Sequence, residues 1–198
     1  MSVRSQHPDI KGIYFITFTC HNWIPLFQLT EAWHLVYRQF DFLKDSGNDI
    51  NGYVIMPNHI HALIHFFSNK KSEAEINMNG EGMISKAVGR FKRFLAYELI
   101  GVLEQQKRND ILSVLEAAVH PTDRSRGKKH QVFEPSFDCK LCTSEQMVWE
   151  KLNYIHNNPC RGKWQLAPYP AAYPHSSCKY YETGCQGIYE VVDFRNNR

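Results

Sequence analysis

The residues best suited to chemistry are the imidazoles of one apolar run, Tyr53-Val54-Ile55-Met56-Pro57-Asn58-His59-Ile60-His61-Ala62-Leu63-Ile64-His65-Phe66. Read as extended chain, its side chains alternate. Val54, Met56, Ile60, Ala62, Ile64 and Phe66 fall on one side, a core face, and His59, His61, Leu63 and His65 fall on the other. His59 and His61 are then roughly 7 Å apart along the strand, close enough to converge on one ion. The same spacing also describes two histidines on a half-exposed strand with no ligand role. The apolar background favours a site, because buried imidazoles need partners. Pro57, lacking an amide hydrogen, marks a strand start, bulge or edge just before the pair.

Local patterns suggest how such a strand is positioned. Ile13 to Thr19 is rich in β-branched and aromatic residues and predicts a first strand. Thr30 can cap a helix carrying Trp33, Val36, Tyr37, Phe40 and Leu43 at helical spacing, ended by Ser46-Gly47. Asp49 to Met56 predicts a second strand, and the histidine run continues as a third. Residues 67 to 83 read as a mobile polar connection. A long helix follows from about Ile84 to Gln106, with Ile84, Val88, Phe91, Leu95, Leu99 and Val102 as its buried stripe. Another arc of it carries Lys86, Arg90, Arg93 and Tyr97, with Lys92 beside them. That arc is either a solvated basic face or a ridge for phosphates with an aromatic for base stacking.

Asn109 to Ala118 predicts a short helix, and a basic insertion at about 119–132 follows. Its loop, Arg124, Arg126, Lys128, Lys129 and His130, is expected to be hydrated and mobile without an anionic partner. Thr143-Ser144-Glu145-Gln146 has the form of a capping box with Thr143 at the cap. It opens a helix to about Asn157 or Asn158, stopped by Pro159. Val148, Leu152 and Ile155 face the core, and Met147, Lys151, Tyr154 and Asn158 form a neighbouring face. Ile188 to Phe194 alternates like a short strand. This order predicts an α+β sandwich, an antiparallel sheet with helices on one face and the other face free for a substrate.

Composition sets the frame. With 198 residues, 43% hydrophobic and 22% charged, the chain fits one globular core with insertions. No apolar run approaches the roughly 20 residues of a membrane span, and Met1 to Asp9 lacks a signal-peptide core, so no membrane partner and a cytoplasmic location are expected. A net charge of +3 is too mild to argue nucleic-acid binding except through its distribution. Cys139-x-x-Cys142 is half a zinc motif with no second half in the sequence.

Met56-Pro57-Asn58-His59-Ile60-His61 and Tyr154-Ile155-His156-Asn157-Asn158-Pro159, in this order and separation, resemble the HUH-type single-tyrosine transposases. The similarity is greatest to their chromosomal relatives, the REP-associated tyrosine transposases, related to the IS200-like family. It extends from the first strand to about Tyr181, through Arg161-x-x-Trp164 and Tyr173-Pro174-His175-Ser176-Ser177. The resemblance implies a ferredoxin-like α+β sandwich, a single HUH domain over 1–181 and a C-terminal tail over 182–198. It implies that His59 and His61 bind a divalent metal, Mg or Mn, and that Tyr154 is the nucleophile. Asn158 would be the third ligand, with His65 as the alternative, and His156 is read as structural.

The expected reaction is cleavage and rejoining of single-stranded or hairpin DNA through a 5′-phosphotyrosine. Lys151 would stabilise the phenolate or phosphate, and Lys86, Arg90, Arg93 and the Arg124–His130 loop would contact phosphates. A hairpin-binding protein without productive cleavage and a metal-dependent phosphodiester hydrolase are the competing readings. A homodimer and a monomer both remain open.

Overall fold

The structure, a computed structural model, describes residues 11–67 and 82–196. Four strands form one antiparallel sheet: β1 (Gly12–Thr19), β2 (Asp49–Met56), β3 (His59–Phe66) and β4 (Asp138–Cys142), in the spatial order β2-β3-β1-β4. Helices α1 (Leu26–Thr30) and α2 (Trp33–Asp45) connect β1 to β2. The long α3 (Met83–Gln105), α4 (Asn109–Ala117) and α5 (Pro121–Arg124) lie between β3 and β4. Helix α6 (Glu145–Asn157) follows β4, and α7 (Cys178–Thr183) lies near the C-terminus. This is the ferredoxin-like sandwich expected, and the tight Pro57-Asn58 turn makes β2 and β3 a hairpin.

That turn corrects the face assignment. Met56 pairs with His59 and Val54 with His61, so each shares the histidine face rather than that of Ile60. Directly opposed residues in an antiparallel pair point the same way, and alternation cannot be counted through a hairpin. Tyr14, Ile16, Phe18, Ile60, Ala62 and Ile64 pack against α2 and α3. Phe15, Val54, Met56 and Leu63 pack against Val148, Leu152 and Ile155 of α6. The second sheet face is therefore partly covered, leaving the His59 end of β3 beside an exposed edge of α6.

Other local expectations shift for identifiable reasons. Thr30 ends α1, its hydroxyl donating to the Leu26 carbonyl, and Ala32 occupies the N-cap of α2. Leu103, not Val102, completes the buried stripe of α3. Ser144 caps α6 by accepting from the Met147 amide, while Gln146 donates to Glu150 instead of closing a capping box. Cys139 packs in the α2–α3 core and Cys142 against the α6 core, on opposite faces of β4, so they cannot share a zinc ion.

Residues 182–196 are not a detached tail: Tyr189, Val191 and Phe194 are buried in the two cores. Ile188 to Phe194 forms no strand, but the Val192 amide donates to the Ile50 carbonyl. Most of the expected 67–83 connection, residues 68–81, lies outside the described residues. Among the described residues, no helix is long and apolar enough to cross a membrane.

Candidate active site

Strand β3 carries His59 and His61 side by side, with ring centroids 4.8 Å apart and ring planes crossed at 81°. Each ring is oriented through Nδ1. Asn58 is fully buried; its amide nitrogen donates to the Trp23 carbonyl at 3.0 Å, which turns its oxygen toward His59 Nδ1 at 2.7 Å. Because a carbonyl oxygen only accepts, His59 carries its proton on Nδ1 and its lone pair on Nε2. The Thr17 hydroxyl on β1, directly opposite in the ladder, lies 2.6 Å from His61 Nδ1. The His59 Nε2 lone pair is thus left to a ligand, and Thr17 holds the His61 ring through Nδ1, the kind of supporting hydrogen bond that orients metal-binding imidazoles. Burial lowers His59 to about 4 and His61 to about 3, the latter helped by the charges of His59 and Lys151. Both rings are neutral, the form that ligates, throughout the physiological range.

Helix α6 brings Tyr154 to this pair. Leu152 docks over Gly52, where a Cβ would lie 2.5 Å from Leu152 Cδ2, so the leucine fills the space that a side chain at 52 would take. His156 is buried on the same side, and its Nε2 pairs with Ser177 Oγ at 2.9 Å. Burial lowers His156 to about 4. The residue binds the helix to the 173–177 segment, which itself pairs with the edge of β2. Turned the other way, the Tyr154 ring lies 5.4 Å from His61 and 6.2 Å from Phe15, and the residue is 49% exposed. Phe15 stacks on His61 at 5.5 Å, and Lys151 Nζ stands 4.7 Å above the Phe15 ring. A phenol, an imidazole pair and an ammonium group therefore share one accessible ledge built from a single chain.

The remaining predicted residues are placed less evenly. Asn158 caps α6 one turn beyond Tyr154 and is half-buried. His65 is buried and lies roughly 13 Å along β3 from His61, too far to join the pair on one ion. Among the described residues, no group of three His, Cys, Asp or Glu side chains could hold a metal.

Lys86, Arg90, Arg93 and Tyr97 lie on α3, across the sheet from the histidines, with Arg90, Arg93 and Tyr97 exposed. Lys92 is turned into the fold, donating to the Glu134 and Ser136 carbonyls, and burial lowers it to about 8. The basic loop is structured rather than free. Arg124 donates to the Glu116 carbonyl, and Lys128 to Asp123 and Gln131, while Arg126 and Lys129 stay exposed. Sequence reasoning missed Thr17, Asn58, Phe15 and Trp23. Only Asn58, adjacent to His59, offered a signal there.

No family model matches the chain. An uncharacterised protein of Haemophilus influenzae is 24% identical over 176 residues, covering 80% of this chain and 87% of that protein. Among solved structures, a REP-associated tyrosine transposase bound to a REP hairpin superposes with a TM-score of 0.59 at 17% identity. The match covers 100% of this chain and 98% of that one, and the two share an overall fold.

Proposed function

We propose that this chain is a DNA strand transferase of the REP-associated tyrosine transposase kind, with Tyr154 as nucleophile. The observation that carries the reading is the 5.4 Å approach of the Tyr154 ring to His61, whose partner His59 is oriented beside it. Shared fold with a hairpin-bound transposase supports DNA as the substrate class. The two oriented, neutral imidazoles suit a divalent ion such as Mg²⁺ or Mn²⁺, with Asn158 as the third protein ligand. When bound, the ion would supply charge neutralisation and orientation of the scissile phosphate.

The protein side chains account for the rest. Tyr154 Oη attacks phosphorus, forming a Tyr–O–P bond as the P–O3′ bond breaks. The leaving 3′ oxygen takes up a proton, leaving a 5′-phosphotyrosine and a free 3′-hydroxyl. Lys151 opposes the charge that develops on the phenolate and phosphate. Reversal with a different 3′-hydroxyl rejoins the strand without an external energy source. Lys86, Arg90, Arg93, Tyr97, Arg126 and Lys129 would contact flanking DNA away from the cleaved bond.

The test is incubation with labelled single-stranded DNA bearing a hairpin, with Mn²⁺, followed by denaturing electrophoresis and mass mapping of the DNA-linked peptide. The expected adduct maps to Tyr154 and is lost with a chelator, in Tyr154→Phe and in His59→Ala. Cleavage without an adduct would replace the reading with a hydrolase, and tight binding without cleavage would replace it with a binding protein.

A further inference from the structure

Trp23 has no part in the chemistry above, yet it borders it. It is 61% exposed, while Trp33, Trp149 and Trp164 are half-buried, and its ring stands edge-on to His59 at 6.0 Å. An indole left in water beside a polar ledge gains nothing from core packing. Its backbone is also unusual. Asn22 and Trp23 are consecutive non-glycine residues at φ 49° and 58°, a left-handed conformation that side-chain-bearing residues avoid. The turn is held there from three directions. Asn22 N–H donates to Glu134 Oε1 at 2.8 Å, Trp23 N–H donates to the Cys20 carbonyl, and the Trp23 carbonyl accepts from Asn58. The side chain that orients His59 therefore also fixes Trp23.

We propose that Trp23 is the stacking platform for an unpaired nucleobase next to the scissile phosphate, a substrate-positioning residue for the strand-transfer reading on which this inference rests. A base flanking a phosphate held at His59 and His61 would lie within reach of the ring edge-on to His59. Stacking needs a rigid, water-exposed aromatic face, and the braced left-handed turn supplies one. Such a contact tolerates any base but requires a single strand, because paired bases have no free face to offer. The platform thus selects unpaired DNA beside a hairpin rather than duplex.

The experiment uses the full chain in a Tyr154→Phe background, where binding is measured without covalent trapping. The probe is a fluorescein-labelled hairpin with a single-stranded extension across the cleaved position. Trp23→Ala is expected to weaken binding about tenfold or more, and Trp23→Phe to recover most of it. The salt dependence should keep its slope, because no phosphate contact is removed. Indole fluorescence should be quenched by DNA in Tyr154→Phe but much less in Tyr154→Phe/Trp23→Phe. Undiminished affinity in Trp23→Ala, or a loss equal for duplex and single strand, overturns the platform and leaves the strand-transfer reading standing. Failure of Tyr154→Phe to bind any of the DNAs overturns both.

Discussion

Replacing Asn58 by alanine tests the coupling between the buried turn and the imidazole pair. The side chain is fully buried and makes one bond to His59 Nδ1–H and one to the Trp23 carbonyl. Each shielded group left unpaired costs about 1–3 kcal/mol, and partial solvent access to both partners puts the total at about 2–4 kcal/mol. For a chain of this size that lowers the melting temperature by roughly 5–15 °C. Loss of a hydrogen bond orienting a metal-binding histidine should slow adduct formation about 10- to 100-fold. Asn58→Asp separates the two effects. It keeps an acceptor for His59 Nδ1–H but cannot donate to Trp23, and it buries a charge. Asp should therefore be at least as destabilised as Ala in thermal unfolding, yet form the Tyr154 adduct faster than Ala. An aspartate no faster than alanine, or an alanine as fast as the parent, would refute the assignment of His59 orientation to Asn58.

Three further outcomes follow from the same geometry. Thr17→Val removes the hydroxyl partner of His61 Nδ1 and should slow adduct formation about 10- to 100-fold, read by single-turnover labelling. Gly52→Ala forces Leu152 aside at about 1–3 kcal/mol, and Leu152→Ala opens a cavity at about 2–5 kcal/mol. The new methyl partly fills that cavity, so denaturant unfolding of the double variant should show a cost well below the sum of the two. His59 and His156 are lowered to about 4 and His61 to about 3, from 6.5. The unfolded chain thus binds protons that the folded chain refuses. Stability should be fully present above pH 6.5 and fall by up to about 1.4 kcal/mol per pH unit per group as pH drops toward 4. Melting curves at pH 7, 6 and 5 measure it, and His156→Gln should flatten the slope by one group's share.

Sequence revealed what depends on residue type and short periodicity. The stripe of α3 and the Val148-Leu152-Ile155 face of α6 were legible because one buried face imposes its period on a helix, and the strand at Ile13–Thr19 was legible from its β-branched and aromatic residues, which here are buried on both faces. So were the histidine pair and the exposed side of Tyr154. What it hid depends on register. Thr17 meets His61 only because β1 pairs with β3 antiparallel with Thr17 opposite it. Lys92 carried the signal of a basic helix face, yet the 131–136 segment folds over it and takes up its ammonium. Residues 188–194 alternate in burial without a ladder partner, so their period mimics a strand while the Gln186 side chain bonds both the amide and the carbonyl of Val191.

The Pro57-Asn58 turn explains why the site is organised from so short a motif. A turn with both residues buried must find partners for its carbonyls inside the protein. Pro57 O accepts from the Phe27 amide in the first turn of α1, and Asn58 O accepts from the Cys20 amide just after β1, so both donors come from the loop between β1 and α1 and the helix it leads into. The Asn58 side chain then joins that loop, at Trp23, to His59. Proline at 57 offers no amide to satisfy, and asparagine at 58 supplies a donor and an acceptor on separate atoms, so its Nδ2 reaches the Trp23 carbonyl while its Oδ1 reaches His59. One turn therefore sets the hairpin register that places His59 and His61 on the α6 face. It also fixes the tautomer of His59 and anchors the loop presenting Trp23. Because one side chain makes both bonds, Asn58→Ala should release His59 and the Trp23 loop together, whereas a change at Trp23 should leave the His59 bond and the hairpin intact.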